Sequence, residues 1–456
     1  MTGPSIPESI STKLRRVAEL AGRTPKMVLR SLAHHIDVEF LREAFRQTRK
    51  GGAAGVDGVT AETYAKDLDA NLMGLLNRFK SGTYRAPPVK RVHIPKGDGK
   101  TRPIGIPTLE DKVLQRAVAM ILTAVYEQDF ADFSYGFRPG RSAHQALTRL
   151  RDAIMGMRGG TVVEVDIQAF YDTLDRTHLR AFLDQRIVDG VLRRTIGKWL
   201  NAGVLEEGTL SIPDRGTPQG GVISPILANI YLHEVLDRWF VEEVRPKLAG
   251  RAEIVRFADD FVIVLEKDQD ARQVFEALPE RFTKFGLTVH PQKTRIVGFA
   301  KPNDSTPRKG DRTSVSMETT FDFLGFTLYW GLSRKGSWVV FQKTASNRFA
   351  RAVGRIDEWC RRYRHHPVTV QHRSLSAKLR GHYLYYGLPG NSRALSRFRN
   401  AVTLRWWRWL GRREQHARLT EEAFARLRGR YPLPPARIPA LRGSHGQAQH
   451  LRSRMR

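Results

Sequence analysis

Apolar residues recur every three or four positions over residues 13–47, which is the spacing of one buried helix face. Pro25 interrupts this pattern directly after Thr24, a residue that favours helix ends, so we predict two helices here rather than one. The turn-rich segment GGAAGVDG (51–58) follows, and a further helical pattern covers 61–80. The chain is therefore predicted to begin with a helical extension.

After this extension, short strands alternate with helices. VKRVHIP (89–95) and TRPIGIP (101–107) flank the turn KGDGK (96–100), which predicts a β-hairpin. TVVEVDI (161–167) has the pattern of a short β-branched strand, and RAEIVRFADDFVIVLEK (251–267) has the pattern of a second hairpin. Further helices are predicted at 109–128, 177–200, 222–245 and 270–285, and further strands at 288–298 and 321–342. This alternation predicts an α+β or α/β core rather than a helical bundle, and we assign the α+β class.

The composition changes again near residues 335–345. Beyond them the chain is helical, aromatic and strongly basic, as in RWWRWLGRR (405–413). Four parts are predicted along the chain: a helical N-terminal extension at 1–85, an α+β core at 86–335, a helical domain at 345–420 and a basic tail at 421–456.

Charge is the strongest feature of the overall composition. The chain has 76 Lys and Arg against 46 Asp and Glu, a formal charge of +30. Such a surplus indicates a nucleic-acid partner, because cationic side chains displace the counterions condensed on a phosphate backbone; a merely basic soluble protein is the alternative. The single cysteine, Cys360, excludes internal disulfides and zinc modules built on several cysteines. No run approaches the ~18 apolar residues that span a bilayer, so we expect a soluble, cytoplasmic protein without a membrane partner.

Three aspartates end strands that are otherwise apolar. Asp166 ends the strand at 161–167, and Asp259 and Asp260 lie at the tip of the hairpin at 251–267. Strands normally exclude aspartate, and a lone pair of acids between two strands often only forms a turn. Carboxylates that converge at the ends of neighbouring strands, however, supply the hard oxygen ligands that Mg²⁺ prefers. Two such ions about 3.5–4 Å apart stabilise an in-line phosphoryl displacement, so these residues indicate phosphoryl-transfer chemistry.

The segment RFADDFVIV (256–264) resembles the Asp-Asp motif of group II intron reverse transcriptases, and six other blocks resemble the same family in the same order. These blocks are GAAGVDGVT (52–60), IPKGDGKTRPIGIPTLEDKVLQ (94–115), FSYGFRPGRSAHQAL (133–147), VDIQAFYDTLD (165–175), GTPQGGVISPILANIYLHEVLD (216–237), and the pair LTVHPQKT (287–294) and FDFLGF (321–326). The resemblance implies a right-hand polymerase with fingers and palm, in which the helical extension leads into the fingers and an α-helical thumb follows the palm.

The resemblance also implies the chemistry of the site. Asp166, Asp259 and Asp260 match the family's catalytic acids, which hold two Mg²⁺ ions, with the backbone carbonyl of Ile167 as a further ligand. Tyr171 matches the steric gate that excludes a ribose 2′-hydroxyl, which implies deoxynucleoside triphosphates as substrates.

Seven further positions match residues that contact the nucleotide or the primer. Lys96 and Arg102 match the fingers residues that clamp the triphosphate, and Gln219 matches a contact to the incoming sugar. Lys293 matches a lysine that protonates the pyrophosphate, with simple electrostatic support as the alternative role. The motif FDFLGF matches the primer grip, which here is Phe323, Leu324 and Gly325.

The segment at 374–413 resembles the thumb, or maturase domain, of the same family. Its arginines alternate with aromatic residues, a combination that suits RNA because it offers phosphate contacts and stacking planes. The alternative is that Trp406, Trp407 and Trp409 are core residues of amphipathic helices. Many members of the family end in an HNH endonuclease with cysteine pairs, and one cysteine in 456 residues excludes that version.

The function that these features predict is RNA-directed DNA synthesis, coupled to binding and splicing of a group II intron RNA. The expected partners are an RNA template, a DNA or RNA primer and the intron RNA. A reverse transcriptase recruited to host defence or repair would share the same palm, so it stays an alternative. A maturase with a vestigial polymerase and a general RNA-binding module are the others, and both leave the three carboxylates unexplained.

Overall fold

The computed structural model describes residues 7–24, 26–95, 101–206, 208–211, 216, 220–302, 319–413 and 419–438. The chain forms two compact units, which divide between Ala300 and Lys301. Lys96 and Gln219 lie outside the described residues, as does the second half of the predicted tail, residues 439–456.

Helices make up most of the first unit, and several begin at a side chain that caps the free backbone N–H groups. Asp37, Thr108, Ser142, Asp175 and Asp189 each accept such a bond. The helices are α1 (Glu8–Arg23), α2 (Val38–Gln47), α3 (Ala61–Ala65), α4 (Leu68–Ser81), α5 (Leu109–Tyr126), α6 (Ala143–Gly156), α7 (Phe170–Thr173), α8 (Arg176–Asp184), α9 (Gly190–Leu200), α10 (Ser224–Leu232) and α11 (Asp268–Lys284).

Two four-stranded sheets complete the first unit. The first sheet has the order β2-β1-β4-β5 and contains β1 (Val89–Pro95), β2 (Thr101–Ile106), β4 (Val204–Glu206) and β5 (Thr209–Ser211). The central sheet has the order β6-β7-β3-β8 and contains β3 (Thr161–Val165), β6 (Ala252–Phe257), β7 (Asp260–Leu265) and β8 (Arg295–Gly298). Its neighbouring strands are all antiparallel. Both hairpins predicted from the sequence are therefore confirmed for the residues described.

The helical extension does not form a core of its own. Ile10 and Val17 from α1 belong to the same buried cluster as Leu114 of α5 and Phe282 of α11. The first 85 residues therefore fold as part of the first unit, because their apolar faces have no other surface to cover.

The second predicted helix was placed wrongly. It begins at Val38, while the residues just after Pro25 make tertiary contacts instead of a helix. Leu29 pairs with Ile187 in a parallel bridge, and the Arg186 guanidinium donates to the carbonyl of Met27 at 2.7 Å. These bonds to a distant segment outweigh the local helical pattern.

The helix predicted at 177–200 is two helices. The carboxylate of Asp189 caps α9 by accepting from the N–H groups of Val191 and Leu192, and it also accepts from Leu32 and Ala33. A side chain that satisfies four backbone donors interrupts the helix where it stands.

Four other segments differ from the sequence-based prediction. The region 222–245 continues beyond α10 as π-helical turns at His233–Asp237 and Phe240–Val244. The strand predicted at 288–298 covers only Arg295–Gly298. Helix α6 and the small hairpin of β4 and β5 were not predicted at all.

The second unit combines a three-stranded sheet with helices. The strands are β9 (Phe321–Phe323), β10 (Phe326–Leu332) and β11 (Trp338–Thr344), and the helices are α12 (Ser346–Arg362), α13 (Val368–Tyr386), α14 (Ser392–Leu410) and α15 (Glu421–Arg430). The predicted domain boundary at 335–345 falls inside this unit. The buried amide of Asn391 bonds both the N–H and the hydroxyl of Thr344, at 3.0 and 2.9 Å, and so fastens the sheet to the helices.

The three neighbouring tryptophans of α14 serve this second core. Trp406 is fully buried and donates to Gln371 at 2.9 Å. Trp407 stacks on Phe424, and Trp409 donates to Asp357 at 2.9 Å. All three rings therefore belong to this core, Trp406 as a buried member and the other two packed against it. Each indole N–H already donates a hydrogen bond within the protein. No helix in the described parts of the chain is long and apolar enough to cross a bilayer.

Candidate active site

The register of the central sheet brings the predicted carboxylates to one edge. Val165 pairs with Phe261, and Phe257 pairs with Asp260 across the β6–β7 hairpin. Continuing the register of β3 by one residue places Asp166 beside Asp260. Because side chains on a strand alternate between faces, Asp166, Asp260 and Phe257 share the face opposite to the one that buries Phe261. The sheet therefore forms a row of two acids and one aromatic ring.

Asp259 lies in the tight turn between β6 and β7. The preceding residue, Ala258, has a φ of 59°, in the left-handed region that a two-residue hairpin turn requires and that residues with a side chain avoid. The carboxyl of Asp259 is half-buried. Burial raises its pKa above the usual aspartate range, and the negative charge of Asp166 raises it further. Burial and the charge of Asp166 both disfavour the ionised form of Asp259, so a bound cation would stabilise that form.

Asp166 follows β3 and is held by the segment that precedes β8. Its backbone N–H donates to the hydroxyl of Thr294 at 3.2 Å, and its carbonyl accepts from His290 at 2.8 Å. The Lys293 ammonium lies 2.7 Å from its carboxylate, and both groups are solvent-exposed. The predicted proton donor and one predicted metal ligand are thus direct neighbours.

Ile167 presents its carbonyl toward the carboxylates. It pairs with Val289 in an antiparallel bridge, and the two hydrogen bonds of that bridge are made by the residues on either side of it, Asp166 and Gln168. In such a non-hydrogen-bonded pair, the N–H and C=O of the central residue point away from the partner strand. The Ile167 carbonyl therefore points to the side on which β7 and Asp260 lie.

Tyr171 and Phe170 lie in different environments. Phe170 is buried in the core, whereas Tyr171 is half-buried at its edge. Burial raises the pKa of the Tyr171 phenol, and the charge of Asp259 adds to the shift, so the hydroxyl is close to the acids and stays protonated. The short helix α7 begins after Ala169, whose φ of 47° is a second left-handed non-glycine position beside the site.

Arg102 approaches the acids from the first sheet. Arg102 is exposed and lies on β2 opposite Ile94. Its positive charge acts to lower the pKa values of Asp259 and Tyr171, but burial raises both pKa values by more. Gly216 and Gly220 lie against the backbone of segments that form the site. A Cβ on Gly216 would lie 2.7 Å from the Tyr171 carbonyl, and a Cβ on Gly220 would lie 2.5 Å from the Gly105 carbonyl, so only glycine permits these approaches.

A buried polar network supports the turn, and its only sign in the sequence is an arginine within an apolar strand. Arg256 is fully buried and forms a bidentate ion pair with Asp237, also buried. The same guanidinium donates to the side chain of Asn229 at 3.0 Å and to the carbonyl of Ala258 at 3.1 Å. Asn229 in turn donates to the Gly136 carbonyl at 2.7 Å. The network therefore fixes the backbone that carries Asp259.

The predicted primer grip belongs to the second unit and forms the turn between β9 and β10. Leu324 and Gly325 have φ values of 49° and 79°, which is the conformation of a type I′ hairpin turn. The hydroxyl of Tyr385 donates to the Leu324 carbonyl at 2.9 Å. Tyr385 lies in the segment GHYLYYG (381–387), so this segment of α13 contacts FDFLGF directly.

The arrangement suits a divalent metal, although its ligands are not a closed cage. Within the described residues, no three His, Cys, Asp or Glu side chains converge as a ready-made metal site. Asp166 is paired with Lys293, and Asp260 is exposed. A full set of oxygen ligands for a metal ion would therefore also need the Ile167 carbonyl and oxygens from a bound substrate. This combination of carboxylates, one carbonyl and phosphate oxygens is typical of Mg²⁺ sites.

Asp237→Asn tests the network. Burial alone would raise the pKa of Asp237, but the Arg256 charge outweighs it, so the pKa is lowered and the ionised form stabilises the fold. The variant leaves a buried arginine unpaired, and we expect a loss of about 3–5 kcal/mol in the free energy of unfolding at pH 7. Because the stabilisation is present above the unfolded pKa near 3.8 and is lost as the pH falls through the folded pKa, the difference from wild type should narrow in acid.

Urea unfolding between pH 3 and 7 measures this effect. Glu266→Gln is the matched control, because Glu266 forms an exposed ion pair with Arg251 at the other end of the same hairpin. The control should change stability by about 1 kcal/mol or less. Equal losses in the two variants would contradict the structural role of the buried pair.

Comparison with known proteins agrees with this geometry. The family model described as reverse transcriptase (RNA-dependent DNA polymerase) matches residues 94–328, just over half of the chain. Protein YkfC of Escherichia coli is 35% identical over 291 residues, which cover 56% of this chain and 76% of YkfC.

Relatives from introns are similar as well. Group II intron-encoded protein LtrA of Lactococcus lactis is 38% identical over 272 residues, which cover 57% of this chain and 45% of LtrA. A putative COX1/OXI3 intron 1 protein of Saccharomyces cerevisiae is 26% identical over 310 residues, covering 57% of this chain and 37% of that protein. The chain thus spans less than half the length of these intron proteins. It belongs to the reverse transcriptase family, is similar to group II intron-encoded members of it, and has the α+β right-hand fold of that family.

Proposed function

We propose that this protein copies RNA into DNA by two-metal phosphoryl transfer and that it acts on a group II intron RNA. The observation that supports this most directly is the meeting of Asp166, Asp259 and Asp260 at one edge of the central sheet. The reaction joins the 3′-oxygen of a primer to the α-phosphorus of a deoxynucleoside triphosphate and releases pyrophosphate.

The three carboxylates and the Ile167 carbonyl would hold two Mg²⁺ ions. Bound there, the ions would acidify the 3′-hydroxyl and neutralise the charge on the leaving pyrophosphate. The raised pKa of Asp259 fits this role, because a cation between Asp259 and Asp166 removes the repulsion that disfavours their ionised forms.

Two cationic side chains are proposed to act on the triphosphate. The exposed Arg102 guanidinium can bind two phosphate oxygens at once, which positions the α-phosphorus. Lys293 is proposed to leave Asp166 when substrate and metal arrive, because its ammonium then meets the negative charge of the pyrophosphate instead. From there it can donate a proton to the leaving oxygen or stabilise it by charge alone.

Tyr171 is proposed to select the sugar. Its half-buried ring packs at the edge of the core, and the charge of Asp259 contributes to the raised pKa of its phenol, so we place the ribose of an incoming nucleotide against this ring. A rigid ring leaves no room for a 2′-hydroxyl, so deoxynucleotides are favoured by exclusion rather than by a specific bond.

Two observations support the proposed role with intron RNA: the similarity to intron-encoded proteins and the net positive charge of the chain. LtrA is described as a group II intron-encoded protein, and the formal charge of +30 provides the affinity for RNA that such a role needs. A reverse transcriptase that serves its host remains the alternative, since the same palm would serve both.

Primer extension tests the proposal. Purified protein, an RNA template with an annealed DNA primer, dNTPs and Mg²⁺ should give extended primer. The Asp259→Asn, Asp260→Asn double variant keeps the size of both side chains and should reduce the rate by at least a thousandfold, roughly 4 kcal/mol of transition-state stabilisation.

The matched control is Asp268→Asn, because Asp268 is an acid of the same unit placed in the first turn of α11, away from the carboxylate edge. It should retain extension. Absence of extension by folded wild-type protein that binds the primer–template would contradict the polymerase and favour a maturase with a vestigial site.

Tyr171→Ala should let the enzyme use ribonucleotides. Removing the ring opens the space for a 2′-hydroxyl, so the ratio of kcat/KM for dNTP over rNTP should fall about tenfold or more. Single-nucleotide incorporation with dATP and ATP measures the ratio. Phe170→Leu changes a neighbouring buried ring and should leave the ratio unchanged; equal effects of the two substitutions would contradict a steric gate.

A further inference from the structure

Phe137 is a large apolar side chain that the fold presents to solvent beside the candidate site. It is 61% exposed, and its backbone has a φ of 58°. Left-handed backbone conformations are uncommon for residues other than glycine, and they persist only where the surroundings impose them. Exposure and strain together at one aromatic residue indicate a function outside the core.

The surroundings of Phe137 impose this conformation. The Gly136 carbonyl accepts from the buried Asn229 amide at 2.7 Å, and the Tyr135 N–H donates to the Arg256 carbonyl at 2.8 Å. A Cβ on Gly136 would lie only 2.2 Å from the Ala258 nitrogen, so the backbone of this loop presses directly on the turn that holds Asp259.

The next residue fixes the loop from its other end. The buried Arg138 guanidinium pairs with Glu127 and donates to the carbonyls of Ala131 and Ser134 at 2.7 and 2.8 Å. With both neighbours of Phe137 bound to buried groups, the phenyl ring is held outward without packing on the core.

The ring extends the row of side chains that contains the acids. Its centroid is 6.3 Å from that of Phe257. Phe257 is opposite Asp260, and Asp260 is beside Asp166, all on one face of the sheet. A molecule that reaches the carboxylates along this row therefore passes over Phe137.

We propose that Phe137 contacts the bound primer–template duplex, with its ring against a base or sugar next to the primer 3′-end. This inference rests on the proposed polymerase function and adds a binding residue to it. A nucleic acid fits better than an apolar protein partner, because Lys293 forms an ion pair with Asp166 in the row and the chain carries +30 overall. Aromatic rings bind bases regardless of sequence, as a polymerase requires.

The test is the affinity of full-length protein for a fluorescent RNA–DNA primer–template, measured by anisotropy without nucleotide. Phe137→Ala should weaken binding about tenfold, the range of base–aromatic stacking. Phe137→Tyr should bind within about twofold of wild type. The slope of affinity against salt concentration should stay the same in both variants, because no phosphate contact is lost.

Met73→Ala is the matched control, since Met73 is a large apolar residue on α4 that is 49% exposed. It should leave the affinity unchanged. Thermal unfolding of each variant separates lost binding from lost folding, and if Phe137→Ala unfolds early, Phe137→Leu against Phe137→Tyr gives the same comparison of an aliphatic with an aromatic side chain.

Binding by Phe137→Ala within twofold of wild type would overturn the inference, and so would equal weakening by Phe137→Tyr. Failure of the proposed function looks different. In that case the wild-type protein binds the duplex but does not extend the primer, and the effect of Phe137 on binding is measured all the same.

Discussion

The ion pair between Arg256 and Asp237 is the interaction on which the site depends. Both side chains are fully buried, and removing two charges from water costs several kcal/mol for each ion. The pair offsets that cost through its bidentate geometry, and the remaining donors of Arg256 bind Asn229 and the Ala258 carbonyl. A hydrophobic pair could fill the same volume, but it could not hold a strained carbonyl in place.

Three of the six non-glycine residues with left-handed backbone in the described parts of the chain belong to segments that form or contact the candidate site. They are Phe137, Ala169 and Ala258. The buried network and the close contact of Gly136 with Ala258 account for two of the three. The site is therefore rigid before substrate arrives, as electrostatic catalysis requires, because groups that are already placed need no reorganisation during the reaction.

The positions of the candidate catalytic acids could be predicted from local sequence. Period-two patterning predicts that Asp166 ends one strand and that Asp259 and Asp260 lie at the tip of a hairpin. The pairing register of these strands then brings the three acids together. The buried polar network that supports the site could not be predicted from local sequence. Asp237 and Arg256 are distant in sequence, and Asp237 lies in a π-helical turn that reads as ordinary helix. Asp189 likewise breaks a predicted helix because it bonds Leu32 and Ala33, which only the folded chain brings near.

The central claim is that this rigid edge holds two divalent ions through Asp166 and Asp259. Electron paramagnetic resonance of bound Mn²⁺ tests it most directly, with the protein on a primer–template that ends in a dideoxynucleotide and with the next dNTP present. The account predicts two Mn²⁺ ions per protein that couple magnetically because they lie about 3.5–4 Å apart, and loss of the coupled signal in Asp259→Asn. A single uncoupled ion in the wild type, or an unchanged coupled pair in the variant, would contradict it.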